Sequence, residues 1–205
     1  MKRRQFLWTG LLFVPAIRAG AQLGLRSPGF VGQLSTKTGS AACTTVRDGA
    51  TGAASEFDRS SGSGTLYVAS KFTAGATYSA CSVGMYAYKV GTLSDKSISV
   101  GIFTDSSGTP GTQLEGWSDS IAHSALPSSS AETVVALASP ASISSGTDYW
   151  VVYRWHGSSS SDSSNNISVS KYNNGAATPL YYSTDASSWN LLDSNRTEKF
   201  QVYSQ

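Results

Sequence analysis

From about residue 41 to the C-terminus, apolar side chains recur at every second position over short runs, the period of a strand with one covered face. Over residues 97–102 the pattern sets Ile98, Val100 and Ile102 on one side and Ser99 and Gly101 on the other. Residues 166–170 repeat it with Ile167 and Val169, and Phe200 and Val202 repeat it near the end of the chain. Such runs predict antiparallel strands with one face on a core and the other in water. Two segments differ: residues 81–90 (CSVGMYAYKV) and 149–155 (YWVVYRW) carry bulky groups on both sides. They predict central strands, covered twice or bearing an outer aromatic surface. Turn-forming clusters at 105–111, 144–147 and 185–188 separate the runs. Eight or more such strands without a convincing amphipathic helix predict an all-β fold, an antiparallel β-sandwich of jelly-roll type.

The first forty residues lack this pattern. Lys2, Arg3 and Arg4 precede an apolar stretch from Phe6 to Ile17, and Ala19-Gly20-Ala21 follow. That order predicts a signal peptide over 1–21, cut between Ala21 and Gln22, with small residues at Ala19 and Ala21 for the peptidase. The apolar stretch is too short to span a bilayer. The segment Arg3-Arg4-Gln5-Phe6-Leu7 resembles a twin-arginine export signal. The expected location is extracytoplasmic, periplasmic or secreted to the cell surface, with only transient membrane contact unless the leader is retained. Residues 22–40, with Pro28 and scattered glycines, read as an extended arm or linker, and 41–205 as the jelly-roll domain. Two serine-rich stretches, 60–64 and 158–164, predict flexible loops.

Charge changes the picture only through the leader. The whole chain carries a formal +2, but four of its fifteen basic residues lie in the first 21 and all thirteen acidic ones lie beyond. Removal of the leader leaves a net −2 and no Lys/Arg cluster, which takes away the electrostatic footprint of a nucleic-acid partner. Charged residues make up 14% and aromatics 11% of the chain, a balance that favours strands and turns over helices. Cys43 and Cys81 fit no zinc or redox spacing; in an oxidising compartment they are a disulfide candidate, with two buried thiols as the alternative.

Several motifs occur in order: SKFT at 70–73, YAYKVG at 86–91, VGIFTDSSGTPG at 100–111, GTDYWVV at 146–152, YYSTDASSW at 181–189 and FQVY at 200–203. The series resembles a jelly-roll module found in bacterial secreted and surface proteins and in phage virion or tail proteins. The resemblance covers about residues 65–203 and implies a non-catalytic, carbohydrate-binding-like or adhesive role. Ala186 stands where similar modules more often have glycine, so the turn after Asp185 is expected to differ in type.

Catalytic motifs are absent: no nucleophile elbow, P-loop, dinucleotide fingerprint or zinc-protease helix occurs. His123 and His156 stand alone. Most acids fall in turns, among them Asp95, Asp105, Asp148, Asp162 and Asp185, where a carboxylate caps backbone N–H groups. Asp162, Asn165 and Asn166 form a weak calcium candidate, the sole cofactor suggested. Aromatics are the stronger ligand candidates, because indole and phenol faces stack on sugar rings. Strict alternation sets Tyr149, Val151, Tyr153 and Trp155 on one face and Trp150, Val152 and Arg154 on the other. If the first face is core, Trp150 beside Arg154 is the exposed candidate; the reverse exposes Tyr153 and Trp155. Tyr181, Tyr182 and Trp189 bracket a hairpin, as a cross-strand aromatic pair or as ligand contacts, and Trp117 closes the set.

These residues predict an exported, non-catalytic module that binds a polysaccharide or cell-surface glycan. The first alternative is a structural subunit or decoration protein of a surface assembly, filament or phage virion, self-assembling through the N-terminal arm. The second is an extracytoplasmic glycoside hydrolase, which needs two carboxylates across a cleft.

Overall fold

A computed structural model of the protein describes residues 43–52, 56–59, 64–173 and 178–205. The predicted leader, its cleavage residues Ala19, Ala21 and Gln22, and the arm at 22–40 lie outside the described residues. The chain divides into two units, Met1–Lys37 and Thr38–Gln205, and only the second is described below.

Apart from a short 3-10 turn at His123–Ala125, every regular element among the described residues is a strand. In chain order these are β1 (Thr45–Ala50), β2 (Glu56–Arg59), β3 (Leu66–Thr73), β4 (Tyr78–Met85), β5 (Ala87–Val90), β6 (Ser97–Ser106), β7 (Thr109–Gln113) and β8 (Ile121–Ala122). They continue with β9 (Thr133–Ile143), β10 (Asp148–His156), β11 (Asn166–Asn173), β12 (Leu180–Ser183), β13 (Asn190–Asp193), β14 (Arg196–Glu198) and β15 (Phe200–Ser204). One sheet runs β13-β12-β3-β10-β6-β7, with β8 also on β6; a second runs β1-β15-β4-β9; a third centres on β11, flanked by β14, β2 and β5. Every pairing is antiparallel. The all-β sandwich predicted from the alternation is therefore the architecture.

The sheets are stitched together by β11. Strand β4 leads into β5 through Tyr86, and β14 leads into β15 through Lys199. At that junction the Ser170 N–H donates to the Tyr86 carbonyl at 3.0 Å, and the Lys199 N–H donates to the Ser170 carbonyl at 2.7 Å. The main core fills the space enclosed, with Val68, Val83, Ile98, Val100, Ile102, Ile167, Val169, Phe200 and Val202 all at most 2% exposed. Burying aliphatic and aromatic groups of this size stabilises each by about 1.5–3 kcal/mol before the cost of ordering the chain.

The predicted solvent faces of two strands are buried instead. On β11, Asn166, Ser168 and Ser170 are no more than 4% exposed. Their polar groups find partners inside: the Ser168 hydroxyl donates to Asn166 Oδ1 at 2.7 Å, and the Ser170 and Ser130 hydroxyls share a 2.5 Å hydrogen bond. On β6 the face opposite Ile98, Val100 and Ile102 is covered by an aromatic layer described below. The serine-rich stretch after β10 is also fastened, its N-terminal part to Asp95: Oδ2 accepts from the Ser158 N–H at 2.9 Å and from the Ser158 hydroxyl, and the Asp95 N–H donates to Ser159 Oγ at 2.9 Å.

Along β4 and β9, Ala80 pairs with Ala141 but Ser82 pairs with Ala136, so residues 137–140 bulge opposite Cys81. Pro140, with no N–H for the ladder, falls in that bulge. Cys43 and Cys81 are bonded as a disulfide, with Cα atoms 6.0 Å apart.

Candidate functional site

Strand β10 pairs with β3 on one side and β6 on the other and presents bulky groups to both faces. Its Tyr149, Val151, Tyr153 and Trp155 face is the main core. Tyr153 and Trp155 are fully buried and structurally employed: the Tyr153 hydroxyl donates to the Lys199 carbonyl at 2.8 Å, and Trp155 Nε1 donates to the Ile167 carbonyl at 3.2 Å. Neither offers a ring face to a ligand.

By alternation Trp150 should then be exposed, and here the expectation fails: Trp150 is 0% exposed. The outer side of the sheet has its own cover. Tyr181 stands edge-on to Trp150 with ring centroids 5.5 Å apart, and Trp150 Nε1 donates to Asp105 Oδ1 at 2.8 Å. Lys71 Nζ lies 5.9 Å from the same ring. Around Ala69, Phe103, Trp150 and Val152 the half-buried rings of Tyr67, Trp117, Tyr181 and Trp189 close a second, smaller apolar layer.

Trp117 reaches this face from the connection after β7. The Leu114 N–H donates to the Ile102 carbonyl and the Ser118 N–H to the Val100 carbonyl, both at 2.9 Å, and the Ser118 hydroxyl receives the Val100 N–H at 3.0 Å. The indole thereby lies against Phe103 and Tyr67, at centroid distances of 5.5 and 5.8 Å. A Cβ on Gly101 would come 3.3 Å from the Trp117 ring and 3.0 Å from Gln113 Nε2. The glycine in the middle of β6 is the slot that admits the indole, and it is the sequence signal for the layer.

Arg154 completes the face. Its guanidinium carbon sits 4.4 Å from the Trp117 centroid, and its Nε donates to Ser99 Oγ at 3.0 Å. Burial lowers its pKa, against a smaller opposing effect from Tyr67. Trp189 enters from the β12–β13 turn and meets Tyr67 and Phe103 at 6.5 and 6.4 Å, edge to face. The cross-strand pairing predicted for the hairpin is different in fact: Tyr181 stands opposite Leu191 and Tyr182 opposite Asn190. Tyr182 packs on the main core side and Tyr181 on the outer side. Of the predicted ligand aromatics, the structure gathers Trp117, Tyr181 and Trp189 with Arg154, sets Trp150 beneath them, and separates Tyr153, Trp155 and Tyr182. Sequence reasoning missed Tyr67 and Phe103, whose strand alternation alone places them on this face.

The turn carrying Trp189 keeps a left-handed residue despite Ala186, whose φ is +60°. Ser183 Oγ accepts the Asp185 and Ala186 N–H groups at 3.2 and 2.9 Å, and Asp185 Oδ1 accepts those of Ser187 and Ser188, both at 2.8 Å. These bonds hold the Asp185 carboxyl well below its ordinary pKa.

Beside the layer stands a charged cluster. Lys71 Nζ is 2.6 Å from Asp148 Oδ2 and 3.7 Å from Asp105 Oδ1, and the Thr73 hydroxyl donates to Asp148 Oδ1 at 2.6 Å. Burial pulls the Lys71 pKa down, but its carboxylate partners outweigh that and raise it; the Lys71 and Thr73 bonds lower that of Asp148. Asp148 thus serves the lysine rather than capping a turn, whereas Asp105 does both, accepting the Gly108 N–H at 2.9 Å.

The calcium candidates form a closed turn. Asp162 Oδ1 accepts the Ser164 and Asn165 N–H groups at 2.7 and 2.8 Å, Asn165 Oδ1 accepts the Thr92 N–H at 3.0 Å, and Asn166 Nδ2 donates to the Asp162 carbonyl at 2.9 Å. Among the described residues no three His, Cys, Asp or Glu side chains gather as a metal site. His123 is buried with Nε2 3.1 Å from the Val90 carbonyl, and His156 Nε2 lies 2.9 Å from Ser120 Oγ. No protein-family model matches the chain, and no curated protein matches it.

Proposed function

We propose that the protein is an exported, non-catalytic module of jelly-roll type that binds a polysaccharide or cell-surface glycan on the outer face of its largest sheet. One observation carries the reading. Trp117 and Trp189, supplied by two different connections, lay half-buried indoles over a sheet whose opposite side already holds the main core. A sandwich needs only one such face to fold. Partly open indole rings next to the Arg154 guanidinium combine an apolar surface with its N–H donors, the pairing that sugar rings require. Arg154 spends its Nε on Ser99, and a guanidinium has four further N–H donors. The leader-like N-terminus and the Cys43–Cys81 bond support an oxidising compartment outside the cytoplasm.

The test is retention of the full chain on insoluble polysaccharides together with a glycan array. Trp117→Ala and Trp189→Ala, each shown to be folded by far-UV circular dichroism, should lower retention at least fivefold. Undiminished retention in both folded variants, or no binding to any glycan by the unaltered chain, overturns the reading.

A further inference from the structure

Two cations on the outer face of the largest sheet are treated differently by the protein. Lys71 is neutralised: its Nζ lies 2.6 Å from Asp148 Oδ2 and 3.7 Å from Asp105 Oδ1. Arg154 lies further along the same face, opposite Tyr67 of β3 and Ser99 of β6. Among the described residues no carboxylate forms an ion pair with it. Its contacts are the Trp117 ring, 4.4 Å from the guanidinium carbon to the centroid, and the Ser99 hydroxyl, which accepts from Nε at 3.0 Å. Burial lowers the Arg154 pKa, and the opposing influence is Tyr67 rather than an acid. The charge is felt at His156, the next position of that face, whose pKa is held down by burial and then by Arg154.

A guanidinium drawn partly out of water loses hydration that a partner has to replace. The indole face replaces some of it through the cation–π attraction. An anion brought to Arg154 would replace the rest. The geometry favours a planar one: the Nε–Ser99 bond fixes the plane of the group and leaves the N–H donors of both Nη atoms, which match the two oxygens of a carboxylate as parallel bonds. Net charge does not produce this preference. Residues 22–205 carry eleven basic side chains against thirteen acidic ones, a net −2, so the domain as a whole repels a polyanion and the attraction has to be local.

Resting on the proposed glycan-binding role of this face, we infer that its ligand is an acidic glycan containing uronic acid, whose sugar rings lie against the partly open indoles and whose carboxylate is bound by the Nη groups of Arg154. The experiment measures retention of the full chain on pectate, alginate and hyaluronan, uronate polymers of different linkage. Each is set beside its carboxyl-reduced form, in which the uronate has become the corresponding neutral hexose. In about 0.1 M salt, which screens diffuse attraction beyond about 10 Å, at least one polymer should hold the chain about tenfold more tightly in its acidic form than in its reduced form. Arg154→Gln, shown to be folded by far-UV circular dichroism, should bring that ratio to about one. Arg154→Lys keeps the charge without the fork and should leave the ratio in between. The comparison of the two forms by the unaltered chain stands whether or not a variant folds. Equal or tighter binding of the reduced forms, or an undiminished ratio in either folded variant, overturns the inference and leaves the glycan-binding role in place. So does failure to bind any of these uronate polymers by a chain that binds neutral glycans on the array. Failure on every glycan overturns both.

Discussion

The Arg154 guanidinium lies 4.4 Å from the centroid of the Trp117 ring, while its Nε is held by Ser99 at 3.0 Å. One side chain therefore fastens the connection after β7 to the strand beneath it. A partly desolvated cation over an indole is worth about 0.5–2 kcal/mol. A double-mutant cycle with Arg154→Met and Trp117→Phe, read by urea denaturation, should give a coupling energy of about 1 kcal/mol. Strict additivity of the two substitutions would show that the pair is adjacent without being coupled.

Ala186→Gly should stabilise the protein. A residue with a Cβ at φ +60° sits in the left-handed region, which costs about 1–2 kcal/mol relative to glycine. Glycine returns about 0.4–1 kcal/mol of that through the greater freedom of the unfolded chain. The net expectation is a gain of about 0.5–1 kcal/mol in urea denaturation at neutral pH. Because Ser183 and Asp185 already hold the turn by four backbone N–H groups, glycine has only to occupy a conformation fixed by its neighbours. A loss of stability would mean that residue 186 does not adopt that conformation in solution.

Alternation foretold the strands and which of their residues oppose each other, because a period of two is a property of the backbone. It sorted the two faces of β10 correctly, Tyr153 and Trp155 with one and Trp150 and Arg154 with the other. It gave no information on what covers the second face, since Trp117 and Trp189 lie in connections between strands, where no period applies. Gly101 was the one local sign that something approaches β6 closely. The polar side of β11 misled for a related reason: Ser168 and Ser170 look solvated in sequence, but their hydroxyls are satisfied by Asn166 and Ser130 inside the protein.

Acid should weaken the fold in two separate windows. Burial, then the charges of Arg154 and Lys96, hold the His156 pKa below its ordinary 6.5. The unfolded chain then binds this proton more readily than the folded one, so the associated stability is present above pH 6.5 and is lost as pH falls toward the folded pKa. The carboxyls of Asp95, Asp148, Asp162 and Asp185 are held below their ordinary 3.8 by hydrogen bonds, from Ser158, Lys71, Ser164 and Ser188 first in each case. Their contribution is present above pH 3.8 and is lost as pH falls through the folded values. Urea midpoints measured from pH 7.5 to pH 3 should show both declines. His156→Gln should flatten only the upper one and Asp148→Asn should reduce only the lower; a full upper decline in His156→Gln would assign it to another group.

The Cys43–Cys81 bond should matter most to the strand that begins two residues after it. Among the described residues β1 pairs along one side only, with β15, and β15 in turn pairs with β4. A bond from Cys43 to Cys81 on β4 therefore ties an edge strand to its second neighbour, across β15. The cysteines are 38 residues apart, a loop whose closure stabilises by about 4 kcal/mol when its whole effect is placed on the unfolded chain. The Cys43→Ser, Cys81→Ser double variant should lose about 2–4 kcal/mol in urea denaturation. Hydrogen exchange should separate the global from the local effect. Val46, Asp48 and Gly49 in β1 should exchange much faster in the double variant, while Val83 in the centre of its sheet should change only as far as global stability does. Equal acceleration along β1 and β4 would indicate that the bond acts only through the unfolded state. Preferential acceleration in β1 would show that it also clamps β1 onto its sheet.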